Sequence, residues 1–251
     1  MVQSLKLRLG SVRKTAWTLF TESALWLKGQ ADSSDVNYVF NVFAERYDKW
    51  YEKPFGKSAF NLEKACVSSL CKNLRNPFLE IGVGTGRFAE ALKIEFGIDS
   101  SVSVLKLADK RGIAVVRGKG ERLPFPDKSF GAIFIIVTLC FVDNPLMVLK
   151  ESSRVLKDEG AVILGLILRE SPWAGFYMRK GVAGNVFYKV ARFYSLKEFE
   201  KMLGKADLRV VDTCSTIFQS PTEKPLRFES PRKGLYENAG FVAVKAEKLS
   251  L

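Results

Sequence analysis

The apolar positions of this chain fall into short continuous runs that alternate with longer segments of helical periodicity. The apolar runs have the length of strands and lie at about residues 78–81, 94–99, 115–117, 129–138, 160–168, 208–217 and 241–246. Between most of them, apolar residues recur every three or four positions, which is the spacing of an amphipathic helix. Strands that alternate with helices predict an α/β fold, a doubly wound sheet with helices on both faces.

A glycine-rich loop follows the first predicted strand and leads into the next helix. Its glycines, Gly82, Gly84 and Gly86, occupy alternate positions directly after the carboxylate of Glu80. Glycine permits a sharp backbone turn and removes the side chains that would block a ligand. The unpaired N–H groups at the start of the following helix are expected to face that ligand. The loop therefore predicts a nucleotide-like ligand.

The spacing of these glycines distinguishes between classes of nucleotide. A dinucleotide-binding loop has the spacing G-x-G-x-x-G, but Arg87 stands where its third glycine would be. A phosphate-binding loop would end in Gly-Lys-Ser or Gly-Lys-Thr, and this loop does not. Asp99 ends the second predicted strand, where nucleotide-binding α/β domains place a carboxylate for the ribose hydroxyls. These features argue against a dinucleotide and against a phosphate-binding loop, and they leave a nucleotide-like ligand whose ribose Asp99 would bind.

With an acidic residue ahead of G-x-G-x-G, the chain resembles the class I S-adenosylmethionine (SAM)-dependent methyltransferases of the ubiquinone- and menaquinone-biosynthesis type. Residues 43–48 are similar to that family's helix before the first strand, and residues 115–125 to its V-x-G-D-A-E-x-L-P-F element. The resemblance implies a Rossmann-like sheet of seven strands in the order 3-2-1-4-5-7-6, with the last strand antiparallel. It also implies S-adenosyl-L-methionine as the cofactor and methyl transfer as the reaction.

The resemblance also indicates which side chains hold the cofactor. The expected SAM-binding residues are Tyr47, Glu80, Gly82, Gly84, Gly86, Asp99, Ser100, Lys119, Gly120, Glu121 and Thr138. Two positions depart from the family pattern. Lys119 replaces an acidic residue expected near adenine, and Gly131 replaces an aspartate in the fourth strand. A lysine offers only hydrogen-bond donors, so a side-chain contact to the exocyclic amine of adenine is not expected there.

Aromatic residues in and near a predicted insertion at about 169–194 indicate the acceptor. Phe141, Trp173, Tyr177 and Tyr188 are expected to enclose an apolar or aromatic small molecule, with core packing as the alternative role for some of them. RNA is a second acceptor class, because the net charge is +12, from 39 Lys and Arg against 27 Asp and Glu. A SAM-binding protein without catalysis is a third interpretation, based on Lys119 and Gly131.

Composition excludes several kinds of chemistry. The chain has no histidine, which excludes a histidine base, a Ser-His-Asp triad and histidine-ligated metals. The four cysteines form no C-x-x-C pair, so no metal site is predicted. No apolar run approaches the roughly 18 residues of a membrane-spanning helix, and a cytoplasmic protein is predicted.

The first 35 residues differ from the rest of the chain. Residues 1–21 contain no acidic residue, and their apolar residues recur at near-helical spacing. Three interpretations stay open: a basic amphipathic helix on a membrane or a partner, an organelle transit peptide, or an N-terminal extension. The methyltransferase domain is predicted over residues 36–251, with the insertion at about 169–194 and a loop at 218–238 covering the substrate.

Overall fold

In the computed structural model, which describes residues 35–223 and 225–249, eight strands form one sheet. In chain order they are β1 (Phe78–Ile81), β2 (Phe96–Asp99), β3 (Ala114–Arg117), β4 (Phe130–Ile136), β5 (Leu156–Leu166), β6 (Leu208–Thr216), β7 (Arg232–Lys233) and β8 (Phe241–Lys248). Across the sheet the order is β3-β2-β1-β4-β5-β8-β6-β7. The first five strands are parallel, and β8 runs antiparallel to both β5 and β6. The predicted order is confirmed, since β8 is the predicted seventh strand and two-residue β7 is an edge addition.

The helices lie between and before these strands. They are α1 (Val36–Val42), α2 (Ala44–Trp50), α3 (Pro54–Ser69), α4 (Arg87–Leu92), α5 (Val102–Lys110), α6 (Pro145–Val155), α7 (Pro172–Val182), α8 (Val186–Lys189) and α9 (Leu196–Lys205). The helical periodicity of residues 36–51 is divided between α1 and α2, because Phe43 leaves helical geometry at φ −108° and ψ 20°. A capping box of Ser195 and Glu198 opens α9.

Strand β4 lies at the centre of the sheet and is buried along its whole length. Phe134 faces one apolar cluster, which includes Leu62 of α3. Ile133 faces the other cluster, which includes Val148 of α6 and Phe199 of α9. Helices therefore cover both faces of the sheet, which is why β4 has no polar residue. The carboxyl ends of β1, β2 and β4 remain available for a site.

The packing around residue 131 of β4 explains why glycine stands where the family pattern has an aspartate. A Cβ atom at this position would lie 1.7 Å from the carbonyl oxygen of Arg75 and 2.6 Å from its carbonyl carbon. The backbone N–H of Gly131 donates to the carbonyl oxygen of Pro77 at 2.9 Å, which holds the two segments together. Any side chain at residue 131 would have to displace the backbone that enters β1.

We predict that Gly131→Ala will lower the free energy of unfolding by about 1–3 kcal/mol, the usual effect of overpacking a core. Gly204→Ala is the matched control, because a Cβ atom there would have no neighbour within 4 Å. Since Gly204 lies in α9, its replacement should stabilise the protein by up to about 1 kcal/mol. Denaturant unfolding of both variants measures the difference, and equal effects would contradict the steric explanation.

Candidate functional site

A cleft of about 600 Å³ opens at the carboxyl ends of the central strands. It lies where the chain reverses direction across the sheet between β1 and β4, the usual ligand position in doubly wound folds. Ten residues predicted for the cofactor or the acceptor line it: Tyr47, Gly82, Gly84, Asp99, Ser100, Lys119, Gly120, Glu121, Thr138 and Phe141. The fold thus brings together residues that are up to 94 positions apart in the chain.

The backbone of the glycine loop has a positive φ at Gly82 (+70°) and at Gly84 (+52°). Glycine adopts this conformation at low energetic cost, whereas a residue with a side chain would be strained. The Gly82 N–H donates to the carbonyl oxygen of Ile98 at 2.8 Å, and the Val83 N–H to the same oxygen at 3.1 Å. The Gly84 N–H donates to Oδ2 of Asp99 at 3.0 Å. The N–H groups of three consecutive loop residues therefore donate to Ile98 and Asp99 of β2, so these three groups are not available to bind a phosphate. This arrangement fits a ligand without phosphate.

The Asp99 carboxylate is fixed at the edge of the cleft. Its Oδ2 accepts from Gly84, and its Oδ1 accepts the Ser101 backbone N–H at 2.9 Å. Burial raises the pKa of Asp99, and the backbone N–H donors oppose that rise. Each carboxylate oxygen has a further lone pair, so Asp99 can accept hydrogen bonds from two neighbouring hydroxyl groups. The residues fit the ribose of SAM at this point.

Ser101 holds the N-cap position of α5, but its hydroxyl forms no capping hydrogen bond with the helix. The hydroxyl donates instead to Oδ1 of Asn41 at 3.0 Å, and the same oxygen accepts the Ser103 backbone N–H at 3.1 Å. The amide of Asn41 therefore binds the start of α5 and ties α1 to it. This contact helps hold α1 at the cleft, where Phe40 forms part of the lining.

Glu80 and Gly86 lie outside the cleft lining, although both were predicted to contact the cofactor. Glu80 is 2% exposed, and its Oε2 has no hydrogen-bond partner in the described part of the chain. Burial raises the pKa of Glu80 well above its usual range. A Cβ atom on Gly86 would lie 3.0 Å from the Cα of Ala108. Both residues support the loop from its inner side.

At the side of the cleft formed after β3, an acidic residue faces Lys119. The Lys119 Nζ donates to Oδ2 of Asp143 at 2.8 Å, and this partner raises the pKa of the lysine. Glu121 accepts the backbone N–H groups of Asp143 at 3.1 Å and Asn144 at 3.2 Å through Oε1. The acidic group missing at position 119 is thus present on the loop after β4. Asp143 was not predicted, because only the fold brings it opposite Lys119.

An aromatic wall closes the cleft on the side of α1 and α2. We define it as Phe40, Tyr47 and Phe141, which line the cleft, together with Phe187, which packs against Phe40 and Tyr47 outside the lining. The ring centroid of Phe40 lies 5.3 Å from that of Tyr47, 5.2 Å from that of Phe141 and 5.6 Å from that of Phe187. Phe141 belongs to a single-turn 3₁₀ helix, Leu139–Phe141, that follows β4. Thr138 is placed just before it, with Oγ1 donating to the carbonyl oxygen of Ile136 at 3.1 Å.

The other predicted acceptor residues do not line the cleft. Trp173 is 2% exposed, and its Nε1 donates to the carbonyl oxygen of Gln219 at 3.0 Å, so it belongs to the core. Tyr177 stacks on Tyr188 with centroids 4.4 Å apart, on the neighbouring side of the aromatic wall. Of the predicted insertion, the segment 189–192 lines the cleft, and no described residue of 218–238 does. Of the N-terminal segment predicted over residues 1–35, residues 1–34 lie outside the described residues.

A network of ion pairs fixes α2 to the glycine loop. Arg87 donates to Asp48 through Nε at 2.8 Å and Nη2 at 2.7 Å. Arg111 also donates to Asp48, at 3.0 Å, and to the carbonyl oxygen of Thr85 at 2.7 Å. Asp48 directly follows Tyr47, so the network sets the position of Tyr47 in the cleft. The sequence analysis used Arg87 only to distinguish this loop from a dinucleotide loop, and the contact with Asp48 was not predicted.

No helix within the described ranges is long and apolar enough to cross a membrane.

Comparison with known proteins shows which proteins this chain resembles. A family model described as a methyltransferase domain matches residues 79–164. An uncharacterised protein of Methanocaldococcus jannaschii is 39% identical over 212 residues, which cover 84% of this chain and 99% of the relative. A solved structure from Thermotoga maritima, a SAM-dependent methyltransferase described as a possible histamine N-methyltransferase, is 34% identical with a TM-score of 0.78, covering 86% of this chain and 100% of that chain. A demethylmenaquinone methyltransferase of the same organism is 32% identical over 136 residues, 50% of this chain and 58% of its own length.

Proposed function

The chain belongs to the class I SAM-dependent methyltransferases of the ubiquinone- and menaquinone-biosynthesis type, and on this premise we propose that it binds SAM in the cleft and methylates a small molecule there. The observation that carries the proposal is the Asp99 carboxylate, which the Gly84 N–H holds at 3.0 Å on a cleft closed by aromatic side chains. A ribose acceptor, a loop without free phosphate donors and an apolar wall together fit SAM.

Each part of the cleft has a role in this proposal. Asp99 accepts the ribose hydroxyls, and the backbone at Gly82 and Gly84 accommodates the methionyl part. Lys119 and Asp143 border the adenine end. When bound, SAM supplies a methyl group on a positively charged sulfur. Tyr47 and the rest of the aromatic wall attract that charge by about 0.5–2 kcal/mol.

Methyl transfer of this kind depends on alignment more than on proton chemistry. Holding two reactants in line can account for roughly 7–11 kcal/mol of the barrier. The ion-pair network around Asp48 and the bond between Asn41 and α5 fix the helices that carry Tyr47 and Phe40. The wall is therefore held rigidly enough to orient an acceptor.

A small acceptor is supported by the shape and charge of the cleft. The aromatic wall and the segment 189–192 narrow its acceptor side. Its described lining has four carboxylates, Asp35, Asp99, Glu121 and Asp143, against three cations, Lys119, Lys189 and Arg192. That balance does not suit the phosphate backbone of RNA. Two of the relatives named above carry small molecules in their descriptions: one is a possible histamine N-methyltransferase, and the other is a demethylmenaquinone methyltransferase.

The test combines binding and transfer. We expect calorimetry to detect binding of SAM in the micromolar range and no binding of NAD. If the protein binds NAD but not SAM, the cofactor assignment is refuted. Transfer of a labelled methyl group is then screened over amines, phenols, quinols and total RNA. Labelling confined to RNA, with an affinity that falls steeply as salt increases, would replace the small-molecule acceptor with a nucleic acid.

A further inference from the structure

Two cations line the cleft without a partner for their charge. Lys189 is the last residue of α8, and Arg192 follows three positions later on the same stretch of the lining. Both side chains are exposed, and neither forms a hydrogen bond or an ion pair with any residue that the structure describes. Two positive groups that face a cleft and have no acidic partner are available to bind an anion.

The segment that carries these cations is fixed beside the aromatic wall. The Arg192 backbone N–H donates to the carbonyl oxygen of Cys140 at 2.8 Å, and Cys140 directly precedes Phe141 of the wall. Lys189 lies two residues after Phe187, whose ring packs against the wall from outside the lining. An acceptor whose apolar part packs on the wall therefore has both cations in the same part of the cleft.

The four carboxylates of the lining are engaged elsewhere. Asp143 accepts from Lys119 at 2.8 Å, and Glu121 accepts the backbone N–H of Asp143 at 3.1 Å. The pKa of Lys119 is raised by Asp143 first and also by Glu121 and Asp35, which agrees with these three acids lying at the adenine end. Asp99 is held by two backbone N–H groups at the expected ribose position. The lining is thus acidic around the cofactor and basic at the acceptor.

Other groups near the segment do not neutralise its charge. Arg192 acts electrostatically on the Tyr194 hydroxyl, but burial is the main cause that raises the pKa of this tyrosine, which is neutral at pH 7. The nearest acidic residue along the chain is Glu198, and it pairs with Arg169 at 3.1 Å. The two cations therefore lack a counter-charge that a ligand can supply.

On the premise of the proposed function, we propose that the methyl acceptor is a small aromatic or apolar carboxylate, whose anionic group Lys189 and Arg192 bind while its apolar part packs on the aromatic wall. A guanidinium offers two parallel N–H donors that match a carboxylate, and an ammonium group adds a further charged donor. Both side chains would repel an ammonium group on the acceptor. The acidic remainder of the lining favours one negative charge over the two of a phosphate ester.

The test uses three probes of nearly equal size that differ in charge: phenylacetate, the neutral phenylacetamide and the cationic phenethylamine. Each is titrated into the full chain saturated with S-adenosylhomocysteine (SAH), and calorimetry measures the affinity. We expect phenylacetate to bind about tenfold or more tightly than phenylacetamide, as two charge-assisted contacts imply, and phenethylamine to bind most weakly. The preference for phenylacetate should shrink as the salt concentration increases, because salt screens exposed charges.

Substitutions of the two cations test which residues cause this preference. Arg192→Gln and Lys189→Gln should each reduce the preference for phenylacetate over phenylacetamide severalfold, and the double variant should abolish it. The affinities for phenylacetamide and SAH should stay within about twofold of the wild type, since exposed side chains contribute little to the fold. Lys201→Gln removes the same charge from an exposed position of α9 outside the lining, and should leave the preference unchanged.

Several results would overturn the proposal while leaving the cofactor assignment intact. They are equal binding of phenylacetate and phenylacetamide, tighter binding of phenethylamine, no binding of phenylacetate to the SAH-loaded chain, and an unchanged preference in the double variant. Failure of both SAM and SAH to bind would instead overturn the proposed function. The comparison of the three probes in the wild type decides the matter even where a variant fails to fold.

Discussion

Replacement of Asp48 by alanine is expected to lower the free energy of unfolding by about 2–4 kcal/mol. The change removes the carboxylate shared by Arg87 and Arg111, whose side chains are 20% and 18% exposed. Breaking a fully buried pair usually costs roughly 3–5 kcal/mol, because a charge is left unpaired. The smaller value is expected because Glu52 remains at 3.0 Å from Arg87, and Glu90 at 3.3 Å from Arg111. Denaturant unfolding measures the effect.

Glu45→Ala is the matched control on the same helix. Its side chain is 82% exposed and lies 3.9 Å from Lys49, so its loss should change stability by less than about 0.5 kcal/mol. The pH dependence supplies a second check. Burial alone would raise the pKa of Asp48, but hydrogen bonds from Arg87, Thr85 and Arg111 lower it to about 2.

The sign of this pH dependence follows from the lowered pKa. The stabilisation by Asp48 is complete above the ordinary pKa of an aspartate and is lost as the pH falls toward 2. The difference between the wild type and Asp48→Ala should therefore shrink over that acidic range. A difference that stays constant down to pH 2 would contradict the ion-pair explanation.

Asp99→Ala is expected to weaken SAM binding by about 1–3 kcal/mol, the value of charge-assisted hydrogen bonds to a fixed carboxylate. Asp109→Ala, on the exposed side of α5, should leave the affinity unchanged and controls for charge. Calorimetry with SAM measures both variants. An affinity of Asp99→Ala equal to that of the wild type would refute the ribose role.

From the raised pKa of Asp99 we also predict how the SAM affinity of the wild type depends on pH. Burial raises the pKa of Asp99, and the hydroxyl donors of a ribose favour the carboxylate form. The affinity should therefore fall as the pH decreases through the raised pKa. Asp99→Asn cannot titrate at this position, so its affinity should lack this decrease.

The order of the elements along the chain, and the kinds of residue at the carboxyl ends of the strands, could be predicted from the amino-acid sequence alone. Apolar periodicity is a local property, and it predicted β1 to β6 and β8. The spacing of Gly82, Gly84 and Gly86, followed by Asp99, is local as well, because the loop and β2 are short. The family resemblance built on these residues supplied the strand order across the sheet.

Contacts between side chains that are distant in the chain could not be predicted and are seen only in the fold. Asp48 and Arg111 are 63 positions apart, and Lys119 and Asp143 are 24 apart. Periodicity also could not separate the core role of Trp173 from an acceptor contact, since aromatic residues suit both. The steric need for Gly131 arises from the backbone of Arg75, which lies outside β4. Contacts of this kind depend on how whole elements pack, and a pattern along the chain reports only the elements themselves.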